Sequence, residues 1–180
     1  MSDRQPGKQG LFELVVVLVV IALTAATGAR YIMKAIDEAW QVSIETQAQV
    51  FTAAVALVHW RWVSGGASSI HGKNREMAYV EVDGVRIFLN RFGWPVHTEY
   101  TLSESGLQAE GCLQVWNAVL QNPGNARLLD QPIVKNSDIQ VQVVEGKKCR
   151  YGVYTKSNTE HYFDYDVTSG RVEVASGQNR

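Results

Sequence analysis

The sequence predicts an α+β protein, with one long N-terminal helix whose second half covers an antiparallel β-sheet. Three observations carry this. No proline interrupts Leu11 to Trp62. Inside that stretch Ile36, Trp40, Ile44, Ala48, Phe51, Val55, Val58 and Trp62 recur every three or four positions, while Asp37, Gln41, Glu45, Gln49 and Thr52 fall on the opposite face. Beyond it, short runs of alternating apolar and polar residues are separated by turn residues, among them Asp83-Gly84.

Taken in order, residues 1–10 form a polar leader and residues 11–30 a membrane-length helical half. From Leu14 to Ala29 there is no charge. Sixteen helical residues reach about 24 Å, a little short of the roughly 30 Å hydrocarbon core. Adding Leu11 and Phe12 lengthens the reach and draws Glu13 into the interface. Arg4 and Lys8 precede the run, which places the N-terminus in the cytoplasm, although Arg30 and Lys34 follow it and weaken the bias. Everything after Arg30 would then lie outside the cytoplasmic membrane. A cleaved secretory signal is the alternative reading.

The helix continues as an amphipathic half over 31–63, with Gly28 as its soft point. "SGGASS" at Ser64–Ser69 ends it, and residues 64–180 make up the sheet domain. "MAYVEVDGVRIFLNRFGWP", Met77 to Pro95, predicts a hairpin turning at Asp83-Gly84, because both turn residues tolerate positive φ. A short helix follows between Ser103 and Leu120, and "NPGN" at Asn122–Asn125 breaks it. "DIQVQVV", "KKCRYGVYT", "EHYFDYDV" and "RVEV" then form a meander, with turns at Gly146, Ser157-Asn158 and Ser169-Gly170. Together these give one sheet of five or six strands, and "SGQNR" reads as a polar tail.

A formal charge of −1 and a pI near 6.4 leave no electrostatic footprint for nucleic acid. His59, His71, His97 and His161 are scattered, without the spacing that sets two ligands on one helix face, so no metal site is expected. No nucleophile elbow, P-loop or dinucleotide fingerprint is present, so neither enzyme nor cofactor is expected. "YFDYD", Tyr162 to Asp166, reads as a strand with one face in the core and one in water, a calcium or sugar site being the alternative. "RFGWP" reads as a turn packed on the sheet, an exposed aromatic platform being the alternative. Cys112 and Cys149 are the whole thiol inventory; in an exported domain such a pair reads as one disulfide, two buried thiols being the alternative.

Glu13 is informative by position. A carboxylate at membrane depth usually has a function and a partner. Either it snorkels to the headgroups or it pairs with a cation from another subunit.

"KQG" at Lys8–Gly10 followed by "LFELVVVLVVIAL" resembles the N-terminus of the type IV pilin and pseudopilin family, with a valine run like that of mannose-sensitive haemagglutinin (MSHA) pilins. "TQAQVFTAAVALVHWRW", "FLNRFGWPV", "CLQVWNAVLQNP" and "CRYGVYT…FDYDVTSGRVEV" extend the likeness over almost the whole chain. The resemblance implies a long helix on an antiparallel sheet and a leader cut by a prepilin peptidase after Gly10, or alternatively Gly7. It also implies N-methylation of the new terminus, Glu13 as the carboxylate setting helix register, and a Cys112–Cys149 disulfide. Glu13 stands third after Gly10 and sixth after Gly7, where the family has it fifth. The implied role is a minor pilin-like subunit of an MSHA-type pilus, acting in assembly, with surfaces for neighbours or adhesion. Its partners would be other pilins, the peptidase, the inner-membrane assembly machinery and lipid. A type II secretion pseudopilin and a non-polymerising membrane-anchored binding domain are the competing readings.

Overall fold

The computed structural model describes residues 8–71, 76–99, 106–120, 123, 125–131, 139–154 and 159–178. Helix α1 spans Lys8–Val63 and helix α2 Ala109–Val119. Among the described residues nine strands accompany them: β1 (Ser68–His71), β2 (Glu76–Val82), β3 (Val85–Leu89), β4 (Pro95–His97), β5 (Ala126–Leu128), β6 (Ile139–Val144), β7 (Lys148–Tyr154), β8 (Thr159–Asp166) and β9 (Val172–Gln178). The α+β class is as predicted. The chain divides into two compact units, Met1–Ala39 and Trp40–Arg180.

Helix α1 is unbroken through Gly28, because nothing in the run removes a backbone donor. Within the second unit its apolar stripe is the core stripe. Ile44, Ala48, Phe51, Val55 and Val58 are buried, and Trp40 and Trp62 are partly covered. Ile36 of the first unit is exposed, so the buried stripe starts one turn later than the periodicity predicted.

The single expected sheet is in fact two. One has the order β1-β2-β3-β4, all antiparallel, and the other β5-β6-β7-β8-β9, in which β5 runs parallel to β6. The β2–β3 hairpin turns at Asp83 (φ 49°) and Gly84 (φ 80°), the double positive φ of a type I′ turn. The missed strands β1, β4 and β5 are only three or four residues long, too short to show alternation. The expected polar tail is also corrected, because β9 continues to Gln178 by pairing Ser176, Gly177 and Gln178 with His161, Glu160 and Thr159. Ladder hydrogen bonds use backbone groups, so polar residues extend an edge strand as readily as apolar ones. The expected Ser157-Asn158 turn lies outside the described residues.

Two apolar clusters organise the second unit. The larger brings Phe51 of α1 and Trp116 of α2 against Tyr151, Phe163 and Tyr165 of the five-stranded sheet. The smaller sets Val58 against Val80, Ile87 and Leu89 of the four-stranded sheet, with Trp62, Ala118 and Val119 at its margin. Both buried hydroxyls in the larger cluster find carbonyls: Tyr151 donates to Cys112 O at 2.8 Å and Tyr165 to Pro95 O at 3.2 Å. Burial raises both phenols above their ordinary range, so they stay neutral donors. Cys112 and Cys149 form the disulfide, joining α2 to β7 with a Cα–Cα distance of 5.6 Å.

Candidate assembly segment

The stretch singled out by sequence begins α1. Gly10 lies in its first turns and Glu13 is exposed one turn later, whereas Gly7 lies outside the described residues. Phe12 and every residue from Leu14 to Val20 are exposed all round the helix. This is the one helix among the described residues long and apolar enough to cross a membrane. Thr24 donates back to Val20 O and Ile21 O at 3.0 and 2.9 Å, and Thr27 to Leu23 O and Thr24 O at 3.0 Å each. These hydroxyls are thus satisfied inside the helix, as an apolar medium demands.

At 100° per residue, Thr24, Thr27 and Tyr31 fall within about 40° of Glu13 around the helix. Glu13, Thr24 and Thr27, the polar side chains between Leu11 and Ala29, therefore line one stripe with Tyr31 just beyond them, while Ala22, Ala25 and Ala29 lie on the far side. The sequence carried this signal in its spacing, but attention to Glu13 alone missed it.

In the second unit the structure places the other candidates apart. The His59 ring stacks on Trp94 (centroids 3.9 Å, planes 9° apart), and its Nδ1 lies 3.1 Å from Gly93 O. His97 packs beside Phe88; burial lowers its imidazole below the ordinary value, partly offset by a backbone hydrogen bond with Glu99. His161 is buried in β8, and His71 lies in β1. Among the described residues no three of His, Cys, Asp and Glu gather into a metal-holding group.

"YFDYD" divides as its alternation predicts. Phe163 and Tyr165 enter the core, and Tyr162, Asp164 and Asp166 take the other face. Asp164 receives two bonds from Arg150 across the β7–β8 pair, Nε to Oδ1 at 2.7 Å and Nη2 to Oδ2 at 2.9 Å. The guanidinium sits 3.8 Å from the Tyr162 ring centroid. This bidentate, stacked pair orders the outer face structurally.

Asp166 closes the β8–β9 turn. Burial pulls its carboxyl upward, but hydrogen bonds from the Thr168 hydroxyl and amide and the Ser169 amide, with the charge of Lys147, leave it below the ordinary value. Its folded value is therefore lower than its unfolded one. The stabilisation is present above the unfolded value, near 3.9, and is lost as pH falls through the folded value. Urea midpoints measured from about pH 5 downward should fall more steeply for the wild type than for Asp166→Asn. Parallel curves would show that the turn is not linked to this proton.

A residue the sequence reading passed over is Asn90. Its amide donates to Val167 O, and its Oδ1 accepts from the Phe92 and Trp94 amides at 2.9 and 3.1 Å. It thereby fastens the four-stranded sheet to the end of β8. Gly93 (φ 80°) lies under Trp62, whose ring a Cβ would meet at 2.2 Å, so only glycine fits. An Asn opening a turn was the available signal.

Compared with protein-family models, curated proteins and solved structures, the chain matches none.

Proposed function

We propose that this protein is a minor pilin-like subunit of an MSHA-type pilus, held by a single inner-membrane span and acting in filament assembly. In this reading the N-terminus is cytoplasmic, and the β-rich unit is periplasmic before any incorporation into a filament. The observation that carries the proposal is helix α1. Its 56 residues run without a break from a bare apolar half, with Glu13, Thr24 and Thr27 on one stripe, into a half whose Phe51 and Val55 lie in the core of the β-rich unit. Ionisable and polar side chains in a membrane segment face protein partners, not lipid, so the Glu13 stripe is the expected seat of neighbouring helices. The register carboxylate, its cationic partner on another subunit and cleavage after Gly10 follow from the family resemblance. The disulfide suits an oxidising compartment.

The test is N-terminal mass spectrometry of the membrane-extracted protein, with and without prepilin peptidase. Cleavage after Gly10 or Gly7 that depends on the peptidase is expected; an uncut terminus in both would favour the anchored, non-polymerising domain. Glu13→Ala is expected to reduce filament incorporation without unfolding the β-rich unit. Normal incorporation would mean that the carboxylate only snorkels.

A further inference from the structure

The second unit carries a rigid knob and, elsewhere, a groove of matching chemistry. The knob is Arg91–Phe92. Phe92 is 41% exposed, and the Arg91 guanidinium lies 4.7 Å from its ring centroid. The turn beneath them cannot flex freely. Asn90 holds it through the Phe92 and Trp94 amides, the Gly93 amide donates to Asn90 O at 2.9 Å, and Gly93 is clamped under Trp62. An exposed aromatic already capped by a cation and held by its backbone loses little freedom on binding, and Phe and Arg are enriched at interfaces.

The groove lies between the first turn of α2 and the β5–β6 edge of the five-stranded sheet. Leu128, Leu129, Val141 and Val143 supply its apolar lining, Glu110 and Asp130 its acids, and its volume is about 540 Å³. Leu129, just past the end of β5, is 47% exposed. Glu110 and Asp130 are both exposed, and among the described residues neither has an ion-pair partner. An apolar floor with two unpaired carboxylates suits an aromatic side chain that carries a positive charge.

We infer that the Arg91–Phe92 turn of one copy seats in the Glu110/Asp130 groove of the next. The two patches are made of different residues of one unit, so repeated in one direction the contact is heterologous and propagates head to tail, whereas made reciprocally it would close a two-fold dimer. The phenyl ring covers Leu128 and Leu129, and the guanidinium meets the carboxylates. Their opposite charges select the second copy over a chain that merely offers an apolar residue. The inference deepens the assembly reading and rests on it.

The test uses the full chain in detergent micelles, carrying Arg91→Lys so that a carbodiimide can join position 91 to an acid. Mixing isotopically light and heavy protein separates links between copies from links within one. A link between copies from position 91 to 110 or 130 is expected. Adding Phe92→Ala should reduce its yield about tenfold. In the otherwise native chain, Arg91→Glu should lower association seen by sedimentation, and adding Glu110→Arg and Asp130→Arg should restore it. Absence of the link, links within one chain only, or failure of the charge swap to restore association would overturn this contact. If the chain still assembles while the link is absent, the subunit reading stands without it. A chain that never associates in micelles overturns this contact alone, and the subunit reading is then decided by the peptidase-dependent cleavage.

Discussion

Replacing Phe51 by alanine is expected to destabilise the Trp40–Arg180 unit by about 3–5 kcal/mol. Phe51 is fully buried, and its ring meets four others: Tyr151 at 5.1 Å, Tyr165 at 5.3 Å, Phe163 at 5.5 Å and Trp116 at 6.1 Å between centroids. Truncation removes the transfer free energy of the ring and leaves a void. Rings on α2, β7 and β8 cannot close that void together, because the disulfide and the sheet hold their backbones. The same change on the outer face of the helix, at the half-exposed Leu57, should stay within about 0.5 kcal/mol. Urea unfolding in micelles followed by near-ultraviolet circular dichroism reads both. A Phe51→Ala loss below about 1 kcal/mol would mean that α1 is not what organises this core. In the proposed assembly role the consequence would be mechanical: a helix that no longer grips its sheets would leave the β-rich unit loosely tethered to it.

Removing the disulfide comes next in size. Cys112 and Cys149 are 37 residues apart, and in the chain-entropy account a closed loop of that length stabilises by about 3–4 kcal/mol. Both cysteines are buried, so the cleaner variant replaces both by alanine; a single serine would add the cost of a buried hydroxyl. The double variant and the reduced wild type should lose stability by similar amounts. Non-reducing electrophoresis should show the mobility shift only where both cysteines are present. If the double variant matched the oxidised wild type in urea, the bridge would be incidental to the fold. The entropic part acts through the unfolded chain, so the folded contacts should change little.

The legible parts of this protein are local. Periodicity and the lack of proline specified α1 through Gly28, and the Asp83-Gly84 pair specified a turn with two positive φ values. Alternation in "YFDYD" sorted Phe163 and Tyr165 from Asp164 and Asp166 correctly. The illegible parts are those where the partner is remote. Strands β1, β4 and β5 are too short to show a period, and the parallel pairing of β5 with β6 depends on the path between them. Asn90 could be read as a turn residue, but not as the clasp on Val167, which is 77 residues away. Arg150 and Asp164 meet only because the β7–β8 register puts them opposite each other.

By itself, then, the sequence determined a continuous helix with an apolar first half, a hairpin, a meander with a buried face and a pair of cysteines. Each follows from residue spacing or from backbone φ preferences acting over a few neighbours. Tertiary structure alone decided that the strands split into two sheets, that Phe51 stands among four rings, and that the Arg91–Phe92 turn is rigid yet exposed. Those outcomes depend on which distant backbone groups and side chains close on one another, and close packing settles that only when the whole core is assembled.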